Sequence, residues 1–279
     1  MNPLKIVIIS RNSYPTLSPR SHRTTELAKE FASRGHQVII YTLLGDYDYT
    51  KYSKETGITF KNLGKSKLGA LDNVGYKNNQ FWAKIGRKLF SKSFEVPNIE
   101  LLPMVRKALK HEKNIDLLIT IAHPHTIHWG AAKYIKNNRN KIGTWIADCG
   151  DPYMKNPFKK HPFYFKYFEK EWCRLCDSIT VPIHKAKDAY YPEFKEKIKV
   201  IPQGFNFNNL KLAHYQPNSV PTFAFAGQAY KGLRDPNQFL KYISSLSFEF
   251  KFIVYTKSVK IFDDYKEKLK DRLEIRDFI

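Results

Sequence analysis

Lys5-Ile6-Val7-Ile8-Ile9-Ser10, a helical stripe of Leu27, Ala28, Phe31 and Ala32, then Gly35 and Val38-Ile39-Ile40-Tyr41 decide the fold. The first run is short, apolar and β-branched, which is the pattern of a strand buried on both faces. A polar loop with two prolines follows, from Arg11 to Arg20. Ser21 is placed to cap the helix that carries the stripe, and Gly35 is placed to stop it. The second apolar run is the next strand. Strand, helix, glycine and strand within about forty residues make a βαβ unit.

The same grammar recurs downstream. Residues 115–122 read as a buried strand, 125–137 as a helix and 143–147 as a strand. An aromatic helix spans 162–176, and short strands at 178–181 and 199–201 flank a helix at 184–191. The sum is an open, doubly wound parallel sheet. Between residues 202 and 221 the pattern breaks, with Gly204, several asparagines and bracketing prolines. It then restarts: strands at 222–226, 250–255 and 273–275 alternate with helices at 236–246 and 259–269. We therefore divide the chain into an α/β domain at 1–204 and a smaller one at 205–279. The second is too short to cover both faces of its sheet and reads as incomplete.

Composition narrows the function. The 279 residues carry 47 Lys+Arg against 26 Asp+Glu, a net charge of +21. A hydrophobic fraction of 42% is enough for a packed core and excludes a disordered chain. Three cysteines exclude a disulfide scaffold and point to a reducing compartment. No apolar run is long enough to span a membrane, and the first residues read as a strand, not a signal peptide. The basic residues are 36 Lys and only 11 Arg, a poor match to proteins that read bases through bidentate Arg. Part of the excess is a diffuse lysine background; part is concentrated at 61–113, with 12 basic and 4 acidic residues.

Four segments carry a family resemblance. The opening strand and loop lead to Glu26-Leu27-Ala28 and Arg34-Gly35-His36-Gln37-Val38. Trp145-Ile146-Ala147-Asp148-Cys149-Gly150-Asp151-Pro152-Tyr153 spans the end of strand 143–147 and the loop beyond it. Cys176-Asp177-Ser178-Ile179-Thr180-Val181 is paired with Val200-Ile201-Pro202-Gln203-Gly204-Phe205-Asn206. Ala226-Gly227-Gln228-Ala229-Tyr230 precedes Arg234-Asp235-Pro236. In this order they resemble family 4 glycosyltransferases, which implies a GT-B fold of two Rossmann-like domains, the second incomplete. The sequence departs from the family pattern in holding Ser18-Pro19-Arg20 where many members have a glycine pair, and in Gln203 and Gln228. It also ends before the family's glutamate motif for the nucleotide sugar, so the chain alone is expected to be weakly active or inactive.

The resemblance implies a retaining hexosyl transfer from a nucleotide diphosphate sugar to a glycan or lipid-linked acceptor, in cell-surface polysaccharide synthesis. Catalytic candidates are His123 and His125, after strand 115–122, and Asp148 and Asp151, after strand 143–147. Histidine suits a sugar hydroxyl or leaving phosphate near neutral pH; the aspartates read equally as an Asx turn before Pro152. Acceptor contacts fall to Ser18, Arg20 and Arg23. Gly227, Lys231 and Arg234 would meet the donor diphosphate, by backbone approach and by charge. His128 and the Cys173/Cys176 pair read as structural. No metal and no cofactor beyond the donor substrate are expected.

Phe81, Trp82, Ile85 and Leu89 share one helical face, with Lys84, Arg87 and Lys88 mainly elsewhere, and no acid lies between Lys77 and Phe94. That reads either as a core-facing helix or as an interfacial helix on anionic lipid, placing the protein at the cytoplasmic face of a membrane. Two further readings stay open: a non-catalytic or partner-dependent subunit that binds acceptor or membrane, and a nucleotide-sugar epimerase of the same fold. Nucleic acid is the weaker partner for the basic charge.

Overall fold

The computed structural model describes residues 2–67, 94–157, 159–204, 207, 214, 216–232 and 234–277. The predicted interfacial segment (Phe81, Trp82, Lys84, Ile85, Arg87, Lys88 and Leu89) lies outside these residues. The chain forms two compact units, Met1–Asn206 and Phe207–Ile279.

The first unit holds strands β1 (Lys5–Ile9), β2 (Gln37–Thr42), β3 (Ile58–Asn62), β4 (Ile115–Ala122), β5 (Ile142–Cys149), β6 (Ser178–Val181) and β7 (Ile198–Val200). They make one sheet in the order β3-β2-β1-β4-β5-β6-β7, with every pairing parallel. Successive side chains of β1 point to opposite faces, so Val7 and Ile9 enter one core and Ile6 and Ile8 the other. The first core is closed by α3 (Leu101–His111), α4 (Thr126–Ile135) and α5 (Phe165–Leu175), with Val105, Trp129 and Trp172 among its buried members. The second is closed by α1 (Pro19–Ser33) through Ala28, flanked by Leu27, Phe31 and Ala32. Strands buried on both faces are why β1, β2 and β4 were legible as unbroken apolar runs.

Some boundaries differ from the expected ones. Helix α1 begins at Pro19, not after Ser21. Ser18 is the N-cap, and its side chain accepts the Ser21 N–H at 3.1 Å. Proline fits the first helical position because its missing N–H would have had no intrahelical partner there. Gly35 follows the helix at φ 83°, as a C-terminal glycine should. The helix expected at 184–191 is instead two 3-10 segments, His184–Ala189 and Pro192–Lys197. Pro192 disfavours helical geometry at the residue before it and divides the stretch. Helix α2 (Thr50–Thr56), β3 and α3 went unpredicted.

Long-range polar ties fasten these elements. The Lys197 ammonium donates to the carbonyls of Cys173, Arg174 and Cys176, capping the end of α5. Asp177 accepts two bonds from Arg139, each 2.8 Å, and one from the Trp145 N–H at 2.7 Å. Glu112 is buried just after α3 and meets three strands: Lys5 of β1 at 2.7 Å, Tyr41 of β2 at 2.7 Å and Lys61 of β3 at 2.6 Å.

The second unit has β8 (Thr222–Ala226), β9 (Lys251–Tyr255) and β10 (Leu273–Arg276) in the order β10-β9-β8, all parallel. Helices α6 (Asn237–Ser244) and α7 (Asp263–Leu269) cover one face, burying Leu240, Ile243, Phe252, Val254, Phe262 and Leu269 together. On the other face Ala224 and Ala226 stay exposed, as the shortage of helices predicts.

Burial alone raises the Glu112 carboxyl pKa, but the bonds from Lys5, Lys61 and Tyr41 outweigh it and hold the value down at about 2. A depressed folded-state pKa contributes stability above the unfolded value of about 4.3 and loses it as pH falls towards about 2. Glu112→Gln should therefore lower stability at pH 7 by on the order of 2 kcal/mol. The difference should shrink steadily below pH ~4. Urea unfolding of both proteins across pH 2–7 measures it.

Candidate active site

In an open α/β sheet, ligands sit at the carboxyl ends of strands where the strand order reverses. Here that place is the β1/β4 boundary, since β2 and β3 lie on one side of β1 and β4 to β7 on the other. The loops after β1, β4 and β5 meet at this edge.

Arg23 projects from α1 and grips Asp148 near the end of β5. The guanidinium makes two bonds to the carboxylate, Nε to Oδ2 at 2.7 Å and Nη2 to Oδ1 at 2.6 Å. The Thr180 hydroxyl of β6 donates to Oδ1 at 2.5 Å. Arg23 also reaches the carbonyls of Ile201 and Pro202 at 3.3 and 3.4 Å. Both side chains are nearly dry, 11% exposed for Arg23 and 4% for Asp148. Asp148, expected as a base or sugar ligand, has both oxygens committed to this pair and serves as a strut. Arg23 is equally committed and does not present itself to an acceptor.

Arg20, one turn earlier on α1, pairs with Asp151 at 2.9 Å. The Asp151 carboxylate is 66% exposed and the Arg20 side chain 22%, so this pair faces solvent. Gly150 makes the reach possible: a Cβ there would lie 1.6 Å from the Arg20 guanidinium. Ser18, named with these arginines, caps α1 and spends its oxygen on the Ser21 N–H.

The three histidines after β4 separate sharply. His123 is exposed at the strand end. Desolvation by its crowded surroundings lowers its pKa, and the Lys159 charge adds to this, against Glu95 and Asp151. His125 is only 2% exposed and packs on Tyr153, His128 and Trp172. Burial drives its pKa well down, and it does not offer a free ring to substrate. His125, expected with His123 as a catalytic candidate, thus lies in the core and not at the exposed strand end. His128 is fully buried between Thr120 and Cys149, and burial lowers its pKa to about 3.

Sequence reasoning missed a second polar group at this edge. Glu95 is buried and accepts from the Tyr153 hydroxyl at 3.0 Å, from Lys159 at 3.1 Å and from His161 Nδ1 at 3.1 Å. Burial raises its pKa, but His161 and Lys159 together hold the carboxyl at about 2. One signal was present: Glu95 is the first acid after an acid-free basic run, and Lys159-Lys160-His161 is a basic cluster in need of a partner.

In the second unit Gly227 ends β8 at φ 150°, where a side chain would be strained. Its N–H donates to the Tyr255 carbonyl at 3.0 Å and so extends the β8–β9 ladder. That hydrogen is not free for a phosphate. The loop beyond it folds on itself through the Tyr230 N–H to the Arg234 carbonyl at 3.1 Å, and through Asp235, which accepts from the Gly232 and Asn237 N–H groups. Lys231 and Arg234 are exposed on this loop. The Cys173 and Cys176 thiols are buried. Burial pushes Cys176 up to about 12 and Cys173 higher still, so both are inert packing groups. A groove of about 660 Å³ lies near β7, lined by His184, Lys187, Lys195 and Lys199 among others; none of the predicted site residues lines it.

Residues 21–209 match the family described as Glycosyltransferase Family 4. The chain belongs to this family. Solved structures agree in fold. A glycosyltransferase from Rickettsia africae ESF-5 is similar at TM-score 0.61 and 15% identity, covering 100% of this chain and 69% of that one. Anabaena Alr3699/HepE, in complex with UDP and glucose, is similar at TM-score 0.60 and 12% identity over 99% of this chain and 70% of its own. A TarM variant from S. aureus, in complex with fondaparinux, alpha-GlcNAc-glycerol and UDP, gives TM-score 0.60 and 12% identity over 99% and 78%. No curated protein matches the chain. The architecture is thus that of a GT-B glycosyltransferase, a seven-stranded parallel sheet with a small three-stranded one. In this family 4 chain His123, Asp151 and Lys159 are exposed at the carboxyl edge of the sheet, whereas the Arg23–Asp148 pair is nearly buried.

Two substitutions separate strut from surface. Asp148→Asn leaves a nearly buried guanidinium without its counter-charge and should destabilise by about 3 kcal/mol. Gly150→Ala displaces only the flexible end of Arg20 and should cost less than ~1 kcal/mol, while breaking the Arg20–Asp151 pair. Thermal melts of both variants, with a double-mutant cycle on Arg20 and Asp151, check the ordering.

Proposed function

We propose that this family 4 chain transfers a hexose, with retention of configuration, from a nucleotide diphosphate sugar to a glycan or lipid-linked acceptor in cell-surface polysaccharide synthesis. The observation that carries this reading is the selective exposure at the β1/β4 edge. His123 is open to solvent while His125, His128 and Asp148 are withdrawn into the core.

Each exposed group has a role suited to its chemistry. With its pKa lowered, His123 is neutral at pH 7. A neutral imidazole both donates and accepts a hydrogen bond, which suits a sugar hydroxyl. Arg20 and Asp151 offer a cation and an anion side by side to polar acceptor groups. In the second unit Lys231 and Arg234 supply positive charge for the leaving diphosphate, and Arg can do so with two parallel N–H bonds. Several of the similar structures are complexes with UDP, which favours a uridine donor. The basic, aromatic run at 81–92 supports docking on an anionic membrane surface at the cytoplasmic face. No described helix is long and apolar enough to cross a membrane.

The test is incubation with UDP- and GDP-hexoses in the presence of lipid-linked glycan acceptors, followed by mass spectrometry of nucleotide and product. Slow formation of sugar-extended acceptor is the expected result, in keeping with the weak activity expected of this chain alone. Sugar interconversion without acceptor consumption would replace transfer with epimerisation. His123→Ala should reduce turnover by about tenfold or more with the melting temperature unchanged. Because desolvation and the neighbouring Lys159 lower the His123 pKa, the acidic limb of the rate profile should fall below pH 6.5.

A further inference from the structure

We infer that His125, His128 and Cys149 form a zinc-binding site in the core of the first unit, beneath the loops after β4 and β5. These residues stand outside the transfer chemistry above, and the inference does not depend on it.

Each of the three offers one ligand atom, and these atoms lie within 4.8 Å of one another. His128 Nε2 is 3.3 Å from Cys149 Sγ. Ligand atoms of a tetrahedral zinc, at bond lengths of about 2.0–2.3 Å, stand about 3.3–3.8 Å apart. One edge of the tetrahedron is therefore already in place, and the His125 ligand atom lies within 4.8 Å of both other ligand atoms. The topology explains the convergence. His125 and His128 sit three residues apart at the start of α4, on one face. Cys149 ends β5, in register with Ala122 at the end of β4.

A second and independent observation points to a ligand. The His125 Nδ1 atom is buried with no hydrogen-bond partner among the described residues. Its other nitrogen, Nε2, faces the Asp151 carbonyl at 3.2 Å. A carbonyl only accepts, so the proton sits on Nε2 and the Nδ1 lone pair points bare into the core. The Tyr190 hydroxyl is buried beside the Cys149 thiol and hydrogen-bonds to it, which fixes the thiol from its far side. An orphaned imidazole nitrogen buried near a thiol is costly unless something occupies the space between them.

The supporting shell is also built. His128 Nδ1 is held by the Thr120 hydroxyl at 2.7 Å, and that hydroxyl accepts the Trp145 indole N–H at 2.9 Å. Metal-bound imidazoles characteristically have their second nitrogen fixed in this way, and here both do. Two imidazoles and a thiolate suit a borderline-soft ion without geometric preference, which is zinc. On binding, the Cys149 S–H bond breaks, a zinc–sulfur bond forms and the proton leaves to water. The ion would tie the loop carrying His123 to the loop carrying Asp151.

The test uses the full chain, purified under reducing conditions without chelator, then stripped and titrated with Co²⁺. Stoichiometric cobalt should produce a thiolate-to-cobalt charge-transfer band that Zn²⁺ bleaches, and Zn²⁺ should raise the melting temperature. Cys149→Ser should abolish the band with far-ultraviolet circular dichroism preserved, whereas a Cys173→Ser/Cys176→Ser variant should keep it. If Cys149→Ser does not fold, His125→Asn serves in its place and should weaken cobalt affinity by about tenfold or more. A folded wild-type chain that takes up neither ion at micromolar concentration overturns the inference and leaves a buried water at His125. A band that persists in Cys149→Ser, or an affinity unchanged in His125→Asn, overturns it as well.

Discussion

Arg23 carries a full positive charge into a nearly dry part of the first unit, and Asp148 makes that tolerable. Removing two charges from water costs several kcal/mol each unless geometry and further hydrogen bonds repay it. Here the fork of the guanidinium meets both carboxylate oxygens, Thr180 adds a third bond to the carboxylate, and two carbonyls receive two further guanidinium donors. The pair joins α1 to β5 and β6 and to the strand exit at Ile201–Pro202. Elements far apart in sequence thereby hold one relative position at the carboxyl edge of the sheet. The Arg20–Asp151 pair, which joins the same helix to the segment just after β5, is positioned by that anchoring.

The alternation of chemistry along α1 follows from helical geometry. Arg20 and Arg23 are three residues apart and project on the same side, yet one pairs with an exposed carboxylate and the other with a buried one. The difference lies in β5. Asp148 is within the strand and points into the sheet edge, while Asp151 has passed Gly150 and turned outward to solvent.

How far the sequence revealed all this depends on where a side chain's role is decided. Buried parallel strands such as β1, β2 and β4 are legible because both faces are apolar and the run is unbroken. The edge strand β3, Ile58-Thr59-Phe60-Lys61-Asn62, alternates weakly and passed unnoticed. Helix α3 carries Pro103 in its first turn, where proline is tolerated, but proline in sequence reads as a stop. At the site, the residue types after β4 and β5 were predictable from topology. Which of His123, His125 and His128 meets solvent was not, because spacing does not say which way α4 turns after Pro124. Glu95 was invisible for a different reason: its partners Tyr153, Lys159 and His161 are about sixty residues away, and only the folded chain brings them together.

Gly150 has a consequence for how this edge can change over time. The Arg20 guanidinium occupies the space a side chain at position 150 would fill. No residue larger than glycine fits there while Arg20 keeps its pose, whereas shortening Arg20 leaves the glycine harmless. The two positions are coupled: a side chain at 150 and the Arg20–Asp151 pair exclude each other, so a change at either position alters what the other contributes to this edge.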